Sequence, residues 1–538
     1  MPLLDVQNLS VSYFDNGRWN EVTHNVSFKL ESGEALALVG ESGSGKTTTA
    51  QAILGLLQQN ARIETGKILL NGEDLGRFSK SRLEALRGKV MSLIPQDPSS
   101  SLDPLMKIGN QIGEIFRIHK ACPRGQIKSR VVELLREVGL DEPEWRAEQY
   151  PHELSGGMRQ RVLIAIAIAL KPQLIIADEP TSALDVTVQK RILDLIDDIR
   201  LNSGASLLMV THDLGVASDR ADKIIVMNKG RVEEAGESQI VLSSPRQDYT
   251  KKLVANDPSL TLVSPRPKRL VEKKTIVEVK NLVIDYAGRQ SFRAVENLSF
   301  KVGRGTTHAI VGESGSGKTS TIRALCGFIR PSGGTITIDG SDMIHLKGEE
   351  LRNFRRRIQL VSQNPFGSLD PHYTIGKIIE EPLLNYPHEN KEARRARVLE
   401  LIDQVELPHA VFDRLPRGLS GGQRQRVAIA RALVLNPDIV VLDEAVSALD
   451  VTVQAQILAL LERLQNDFNL TYIFVSHDLS VVRQISDSVT VLKHGHEVES
   501  GQVEEIFTHP RETYTKELIA AIPGKKNALH QSLLGAQL

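Results

Sequence analysis

Gly40–Thr47 reads GESGSGKT, and the same eight residues return at Gly312–Thr319. Each copy follows a short apolar run, ALALV or THAIV, and precedes a stretch that can form a helix, TTAQAILGLL or STIRALCGFI. A strand, a glycine-rich loop and a helix in this order are the context of a phosphate-binding loop. Two identical octapeptides in matching contexts are not expected by chance. The sequence therefore predicts two phosphate-binding loops.

The residue types of these loops suit phosphate chemistry. Glycines let successive backbone N–H groups turn toward phosphate oxygens, and the helix that follows adds the positive end of its dipole. We expect Lys46 and Lys318 to reach the β- and γ-phosphates, and Thr47 and Thr319 to place a hydroxyl on Mg²⁺. The expected nucleotide contacts are Gly40, Ser42, Gly43, Gly45, Lys46, Thr47 and Thr48 in the first loop, and Gly312, Ser314, Gly315, Gly317, Lys318, Thr319 and Ser320 in the second.

Composition limits the class of protein. A chain of 538 residues is too long for one compact core, and 41% hydrophobic with 25% charged residues is typical of a globular protein. Lys+Arg and Asp+Glu are both 66, which argues against a nucleic-acid partner. The start of the chain predicts no signal peptide, and the longest apolar run, Val162–Leu170, is shorter than the roughly 18 to 20 residues of a membrane span.

The duplication covers nearly the whole chain. The same number of residues separates Asp178 from His212 as Asp443 from His477, whereas the spacing nearer the phosphate loops varies. Changes in length are tolerated in loops, whereas residues that form one site keep a constant spacing. The repeated segments are LSGGMRQR and LSGGQRQR at 154–161 and 419–426, ADEPTSALDVTVQ and LDEAVSALDVTVQ at 177–189 and 442–454, and THDL and SHDL at 211–214 and 476–479.

The repeat predicts two copies of one α/β domain. We place them at 1–258 and 275–523, joined by a semi-extended linker at 259–274 and followed by a loosely ordered tail at 524–538. Short β-branched runs such as KILL, LIIAD, TITI and IVVLD alternate with helical patterns such as VQKRILDLIDDIR, which predicts a mainly parallel sheet with helices on its faces. IKSRVVELLREVGL and EARRARVLELIDQV, which precede the LSGG segments, predict a small helical subdomain.

The order of these motifs resembles that of the ATP-binding cassette ATPases. The phosphate loop, LSGG, an apolar run ending in DE, SALD and a late histidine occur twice, so the resemblance covers nearly the whole chain. It implies two tandem P-loop NTPase (RecA-like) domains, each with an antiparallel β subdomain and a helical subdomain. It also implies ATP and Mg²⁺ as ligands.

The resemblance assigns the metal ligands and the hydrolytic residues. Alone, a strand-end aspartate such as Asp178 reads better as a helix cap; in this order of motifs we expect it to hold Mg²⁺, because several oxygens suit that ion. The glutamate that follows is expected to orient or deprotonate the attacking water, and the late histidine to contact the γ-phosphate. The metal ligands are then Thr47, Gln96, Asp178, Thr319, Gln363 and Asp443, and the catalytic residues Glu179, Glu444, His212 and His477.

The resemblance also implies an adenine contact and a signature. Tyr13 and Tyr286 end the first strand of each copy, where family members stack an aromatic ring on adenine; ordinary packing is the alternative. The signature glycines allow a phosphate to approach free N–H groups at a helix start. In the family this signature completes the site of the opposite domain, so two head-to-tail composite ATP sites are expected. The signature residues are Ser155, Gly156, Gly157, Ser420, Gly421 and Gly422.

Two departures from the family pattern have consequences. Pro180-Thr181 of the first copy becomes Ala445-Val446 in the second, while both DE pairs are intact. We expect two competent sites, with equal rates left open. Many unfused relatives carry a cysteine cluster for an iron–sulfur centre near the end of the cassette. This chain has only Cys122 and Cys326, so we predict no cluster.

Finer motifs indicate a subfamily. QDPSSSLDP, QNPFGSLDP, SSPRQDYTKKL and THPRETYTKEL resemble segments of bacterial dipeptide, oligopeptide and nickel importers, whose fused versions take up glutathione or antimicrobial peptides. The resemblance implies a peripheral ATPase at the cytoplasmic face of the inner membrane. Its partners would be two transmembrane permease subunits and, indirectly, an extracytoplasmic solute-binding protein, with no nucleic acid. The transported solute stays undetermined.

Two other classes of tandem cassette protein compete with the importer. Cassette proteins that act on ribosomes typically join their copies by a long charged helix, which Pro265 and Pro267 disfavour here. Cassette ATPases of DNA repair usually carry zinc-type cysteine pairs, which the sequence lacks. The importer is therefore the leading hypothesis, with the ribosomal class as its alternative.

Overall fold

The structure is a computed structural model that describes residues 1–15, 17–182, 184–260, 274–287, 292–386, 390–447 and 449–524. The chain divides into two compact units, Met1–Thr261 with Pro523–Leu538, and Leu262–Ile522. Each unit repeats one order of strands and helices, as the duplication predicts.

The first unit contains an antiparallel sheet, a mainly parallel sheet and helices. Its strands are β1 (Leu4–Asp15), β2 (Arg18–Leu30), β3 (Ala35–Val39), β4 (Ala61–Leu70), β5 (Glu73–Asp74), β6 (Met91–Ile94), β7 (Leu174–Asp178), β8 (Ser206–Thr211), β9 (Lys223–Asn228) and β10 (Arg231–Glu237). Its helices are α1 (Lys46–Leu54), α2 (Lys80–Leu86), α3 (Pro98–Ser101), α4 (Ile108–Ile118), α5 (Ile127–Glu137), α6 (Pro143–Arg146), α7 (Gly156–Ile168), α8 (Val186–Ser203), α9 (Leu214–Arg220), α10 (Ser238–Ser243) and α11 (Asp248–Asn256).

The larger sheet of this unit has the order β10-β9-β3-β8-β7-β6, in which β10 alone among the described strands runs antiparallel to its neighbour. All five residues of β3 are buried, because the strand lies between β8 and β9 and both sheet faces are covered. The smaller sheet has the order β2-β1-β4-β5. The parallel β3, β7 and β8 therefore end at one edge of the larger sheet, where a ligand site is expected.

The second unit repeats this plan. Its strands are β11 (Thr275–Tyr286), β12 (Phe292–Gly303), β13 (Thr307–Val311), β14 (Gly333–Ile338), β15 (Ser341–Asp342), β16 (Ile358–Val361), β17 (Ile439–Asp443), β18 (Thr471–Val475), β19 (Ser488–Lys493) and β20 (His496–Gln502). Its helices are α12 (Lys318–Leu325), α13 (Gly348–Arg357), α14 (Pro365–Ser368), α15 (Ile375–Leu384), α16 (Lys391–Gln404), α17 (Gly421–Leu433), α18 (Val451–Phe468), α19 (Leu479–Ile485), α20 (Val503–Thr508) and α21 (Thr513–Ala520).

The α/β class, the antiparallel subdomain and the helical subdomain are confirmed. In the second unit the described strands pair in the orders β16-β17-β18-β13-β19-β20 and β12-β11-β14-β15. The runs KILL and TITI do form strands, but they lie in β4 and β14 of the antiparallel sheets rather than in the parallel ones. A four-residue apolar run shows that a strand exists and does not show which partner it pairs with.

Apolar side chains fill the space on both faces of the parallel sheet. In the first unit one cluster joins this sheet to the antiparallel sheet and to α1, through side chains such as Val6, Leu38 and Ile53. A second cluster joins it to α4, α5, α7 and α8, including Ile112 and Ile164. These layers hold the strand ends and the start of α1 in place, so the site between them is built on rigid elements.

The predicted linker and tail lie mostly outside the described residues. Residues 261–273 and 525–538 are not described, whereas Leu260, which we assigned to the linker, is buried in a cluster of the first unit that includes α9 and α11. None of the described helices combines the length and the apolar character needed to cross a membrane.

A buried histidine distinguishes the second unit from the first. The ring nitrogens Nδ1 and Nε2 of His308 in β13 lie 2.8 Å and 3.1 Å from the hydroxyl oxygens of Ser488 and Thr490. The ring stacks on Phe300 with centroids 4.8 Å apart. Burial lowers the pKa of His308 to about 4. In the first unit the residue at this place, four before the first glycine of the loop, is Leu36.

We expect this histidine to make the second unit sensitive to acid. The unfolded chain takes up the proton near its ordinary pKa of about 6.5, and the folded chain only near 4, so stability falls as the pH drops through that range. The loss amounts to roughly 3 kcal/mol by pH 4. His308→Leu should remove this slope, while its loss of the hydrogen bonds to Ser488 and Thr490 adds a cost that does not depend on pH. Calorimetry of both chains at pH 7 and pH 5 checks the prediction, and equal acid sensitivity would contradict it.

Candidate active site

The phosphate loops connect the central strands to the helices that follow them. In the first unit β3 ends at Val39 and α1 begins at Lys46. Gly40 has a φ of 145°, and a Cβ there would overlap the carbonyl oxygen of Met227 in β9. Gly312 has a φ of 148° and would meet the carbonyl oxygen of Leu492 in the same way. Both positions therefore require glycine, since the loop passes directly over the neighbouring strand.

The loop lysines are buried and held by the loop itself. The ammonium of Lys46 donates to the carbonyl oxygens of Gly40 and Glu41 at 2.7 and 2.9 Å. The second unit repeats this arrangement, with Lys318 Nζ donating to Gly312 at 2.6 Å and to Glu313 at 2.8 Å. The two side chains are 5% and 6% exposed, so each positive charge is concentrated inside the loop where phosphate is expected.

The strand-end aspartate of the first unit lies beside the loop. Thr47 Oγ1 donates to Asp178 Oδ1 at 3.2 Å. Burial raises the pKa of Asp178 to about 6, which the hydrogen bond from Thr47 opposes and the charge of Glu179 reinforces. A hydroxyl, a carboxylate and the amide oxygen of Gln96 form an oxygen-only donor set, the kind that Mg²⁺ prefers. The residues present therefore fit the ion.

The second unit offers the same donor types. Asp443 ends β17 beside Glu444, and burial with the charge of Glu444 raises the pKa of Asp443 to about 6. Thr319 follows the loop lysine at the start of α12. Gln363 lies just after β16. Magnesium coordination by these residues stays a prediction for both units.

The glutamate after β7 has an unusual backbone conformation. Glu179 has a φ of 46°, in the left-handed region, and its N–H donates to the carbonyl oxygen of Val210 in β8 at 2.8 Å. Such a conformation costs on the order of 1 to 3 kcal/mol in a residue other than glycine and is frequent at active sites. Gln96 Nε2 donates to one carboxylate oxygen at 2.7 Å, and His212 Nδ1 lies 3.0 Å from the other.

The second copy reproduces this arrangement. Glu444 has a φ of 47°, and its N–H donates to the carbonyl oxygen of Val475 at 2.9 Å. Gln363 Nε2 donates to the carboxylate oxygen Oε2 at 2.7 Å, and His477 Nδ1 lies 3.3 Å from the same oxygen. Both units thus bring an amide and an imidazole to the carboxylate, although in the first unit they contact different oxygens.

The interaction between each glutamate and its histidine favours the charged form of the carboxylate. Burial opposes ionisation of Glu179, but the hydrogen bond and the charge of His212 hold the pKa of this carboxyl below its ordinary value. Burial also opposes protonation of His212, and the bond to Glu179 nevertheless raises the pKa of the imidazole. The pKa of Glu444 is lowered in the same way by His477. At neutral pH each glutamate is therefore available as a charged acceptor.

Gln96 and His212 make polar contacts that the sequence did not predict. We expected Gln96 to offer an oxygen to Mg²⁺ and His212 to contact the γ-phosphate. In the structure both side chains instead hold Glu179, with the amide nitrogen of Gln96 as the donor. The amide oxygen of Gln96 is the atom that would serve the metal. Both direct roles stay predictions.

The two tyrosines expected at adenine lie in different surroundings. Tyr13 is half-buried against the cluster between the two sheets of its unit. Tyr286 is 38% exposed, and its hydroxyl lies 3.2 Å from Ser320 Oγ, two residues after the loop lysine. The second tyrosine thus lies next to the phosphate loop, as stacking on the base of a bound nucleotide requires. Stacking itself stays a prediction.

The signature residues begin the long helices α7 and α17. Ser155 Oγ accepts the N–H of Met158 at 3.3 Å, and Ser420 Oγ accepts the N–H of Gln423 at the same distance. These are N-cap bonds, which satisfy a backbone donor at the helix start. The serines and the first glycines of the signature, Gly156 and Gly421, are exposed. A contact with nucleotide stays a prediction for both signatures.

Sequence reasoning missed two tyrosines that touch the loops. The N–H of Glu41 donates to the hydroxyl of Tyr249 at 3.3 Å, and that of Glu313 donates to Tyr514 at 3.2 Å. The repeated segments SSPRQDYTKKL and THPRETYTKEL contain these residues. The repetition of these segments indicated that the tyrosines matter, but it does not show which loop their hydroxyls contact.

Known proteins resemble this chain over nearly its full length. The model of the family described as "ABC transporter" matches residues 23–182 and again 295–447, and that of "Oligopeptide/dipeptide transporter, C-terminal region" matches 498–537. The chain is 43% identical to the peptidoglycan transport ATP-binding protein YejF of Agrobacterium fabrum, over 97% of this chain and 96% of that protein. It is 39% identical to the glutathione import ATP-binding protein GsiA of Pectobacterium atrosepticum, over 97% and 89%.

Among solved structures, the chain is similar to the dimeric, post-hydrolysis ATP-binding cassette MJ0796 bound to ADP and Pi. The two are 32% identical, and the match covers 42% of this chain and 99% of that one with a TM-score of 0.40.

Proposed function

The chain belongs to the ABC transporter family, and on this premise we propose that it is the ATP-hydrolysing subunit of an importer for peptides or peptide-like solutes. One observation carries the proposal: each unit contains both a buried loop lysine and a glutamate held by an amide and an imidazole. The names of the relatives, which concern peptidoglycan transport and glutathione import, support the class of solute. The match at 498–537 favours the importer over the ribosomal alternative.

The residues of each unit supply the parts of ATP hydrolysis. The loop N–H groups and Lys46 bind and orient the phosphates, because phosphoryl transfer depends mainly on positioning and charge stabilisation. Glu179 orients the attacking water and accepts its proton. His212 and Gln96 fix that carboxylate, and His212 keeps it ionised. Bound Mg²⁺ would neutralise charge on the β- and γ-phosphates, with Asp178 as its anionic ligand.

The proposed partners follow from the importer assignment. We propose that two transmembrane permease subunits bind the chain at the cytoplasmic face of the inner membrane. An extracytoplasmic binding protein would deliver the solute to them. The head-to-tail pairing of the two cassettes, with each signature acting in the site of the other copy, stays a prediction from the resemblance.

Purification from native membranes tests the proposal. A tagged chain, extracted in mild detergent, should copurify with two polytopic membrane proteins. Proteoliposomes of this complex, supplied with the binding protein, should take up a labelled tripeptide, glutathione or muropeptide only with ATP. The control is a chain with Glu179→Gln and Glu444→Gln, which should assemble equally well and import nothing. Recovery with ribosomal particles instead of membrane proteins would overturn the assignment.

The absence of an iron–sulfur cluster stays a prediction. Cys326 is buried, and burial raises the pKa of its thiol to about 12, so it does not provide a ready thiolate ligand. Cys122 lies far from it in sequence, in the other unit. Protein purified without oxygen should contain no stoichiometric iron by elemental analysis, and one cluster per chain would contradict this prediction.

A further inference from the structure

A tyrosine contacts the phosphate loop at the same place in each unit. Tyr249 lies in the first turn of α11, and Tyr514 in the first turn of α21. Their hydroxyls accept the N–H groups of Glu41 and Glu313, the second residues of the two loops. Tyr514 is 7% exposed, and Tyr249 is half-buried against the cluster around α11. The two units of the chain make the same contact, so a chance packing contact does not explain it.

The residue that the tyrosine holds is also the residue that holds the loop lysine. In the first unit the carbonyl oxygen of Glu41 accepts from Lys46 Nζ at 2.9 Å and from the N–H of Ser44 at 3.2 Å. The N–H that Tyr249 accepts belongs to the peptide group between Gly40 and Glu41, and the carbonyl oxygen of that same group, from Gly40, accepts from Lys46 Nζ at 2.7 Å. A rotation of this peptide group would therefore move an oxygen that holds the ammonium.

The second unit has the same pair of contacts. The carbonyl oxygen of Glu313 accepts from Lys318 Nζ at 2.8 Å and from the N–H of Ser316 at 3.1 Å. Tyr514 accepts the N–H of the same Glu313. The two loops are thus braced at one position, and by the same type of side chain.

A carboxylate anchors the start of each tyrosine helix to the edge strand of the sheet. Glu234 in β10 accepts the N–H groups of Arg246 and Gln247 at 2.9 and 3.1 Å, just before α11. Burial opposes its ionisation, but these bonds lower the pKa of Glu234. The start of the helix that carries Tyr249 is therefore fixed to the sheet, which in turn fixes the position of the hydroxyl.

The same anchor is present in the second unit. Glu499 in β20 accepts the N–H groups of Arg511 and Glu512 at 2.9 and 3.3 Å, just before α21. Glu499 and Tyr514 both lie within residues 498–537, where the oligopeptide/dipeptide transporter C-terminal model matches. At least this part of the matched region is therefore tied to the nucleotide site of its own unit.

We propose that Tyr249 and Tyr514 are positioning residues for ATP binding, which set the loop conformation that presents Lys46 and Lys318 to the phosphates. The carboxylate, the helix start and the tyrosine hydroxyl together form a brace from the sheet edge to the loop. The brace sets the loop conformation of the nucleotide-free protein. Its loss should therefore weaken ATP binding more than it slows the chemical step.

The test removes only the hydroxyl oxygens. Tyr249→Phe with Tyr514→Phe keeps both rings and leaves the two loop N–H groups without these acceptors. Loss of one such bond should raise the Kd for ATP by about 3- to 10-fold. The KM for ATP should rise by a similar factor, with kcat within about twofold, because the brace contributes equally to ground state and transition state. The Kd is measured on the full chain by fluorescence titration with a labelled ATP analogue.

The matched control is Tyr472→Phe. The hydroxyl of Tyr472 donates to the carbonyl oxygen of Leu461 at 2.9 Å inside the second unit, away from the loop. This variant should lose thermal stability and keep the ATP affinity of the parent chain. An unchanged Kd in the Tyr249→Phe, Tyr514→Phe chain, or the same rise in the Tyr472→Phe chain, would overturn the proposal. Binding is measured without permeases, so failure of the importer assignment would not affect the result.

Discussion

Replacing Glu179 and Glu444 together by glutamine is expected to leave ATP binding intact and to lower ATP turnover by about 10²-fold or more. Glutamine keeps the size of the side chain but cannot accept the proton of the attacking water. The ammonium groups of the loop lysines donate to carbonyl oxygens of the loops, and the substitution leaves these lysines in place to bind the phosphates. Phosphate release under saturating ATP measures turnover, and nucleotide titration measures binding.

The control for this pair is Glu142→Gln. Glu142 also has a left-handed backbone, with a φ of 51°, but it lies at the start of α6 and is exposed. This variant should hydrolyse ATP like the parent chain, which would show that loss of a carboxylate elsewhere, on a residue with the same backbone conformation, does not lower turnover. Near-normal turnover in the Glu179→Gln, Glu444→Gln chain would show that the hydrolytic residues are wrongly assigned.

Replacing Lys46 and Lys318 together by alanine is expected to abolish tight ATP binding. Each ammonium would form charge-assisted hydrogen bonds with the β- and γ-phosphates, worth roughly 1.5 to 3 kcal/mol apiece. Losing two such bonds per site weakens the affinity on the order of 10²-fold or more. Nucleotide titration of the full chain checks this, and thermal unfolding shows that the loops still fold.

The control here is Lys190→Ala, which removes an exposed lysine whose Nζ lies 2.7 Å from Asp194 in α8. Exposed ion pairs contribute little to the stability of the fold, so the ATP affinity and the thermal stability of this variant should stay close to those of the parent chain. The lysine and glutamine variants thus predict opposite patterns, binding lost in one and binding kept without turnover in the other. An unchanged ATP affinity in the double alanine chain would contradict the phosphate-loop assignment.

Sequence periodicity predicted the elements that are buried on both faces. LIIAD and IVVLD are continuous apolar runs because β7 and β17 lie inside parallel sheets, and both were identified. β4 was recognised only in its last four residues, since Ala61–Lys67 is largely exposed and carries no alternation toward a core. The antiparallel pairing of KILL was missed for the related reason that pairing depends on long-range contacts.

The site was predictable wherever a short motif carries the chemistry. The loop lysine, the DE pair and the late histidine follow from local sequence, and the structure brings them together. The left-handed backbone of Glu179 was not predictable, because glutamate has no preference for it and the bond of its N–H to Val210 joins residues far apart in the sequence. The contact of Tyr249 with Glu41 joins residues 208 positions apart, which no local pattern encodes.

The strained backbone of Glu179 and Glu444 has a consequence for protein engineering. Glycine adopts that conformation freely, so a Glu179→Gly chain escapes a cost of roughly 1 to 3 kcal/mol and loses part of the gain to the greater flexibility of its unfolded state. A library screened for heat resistance alone would enrich glycine at these two positions wherever this gain exceeds the loss of the carboxylate's bonds to the amide and the imidazole. The selected variants would be thermostable but unable to hydrolyse ATP. Each round of screening therefore has to measure ATPase activity as well as melting temperature.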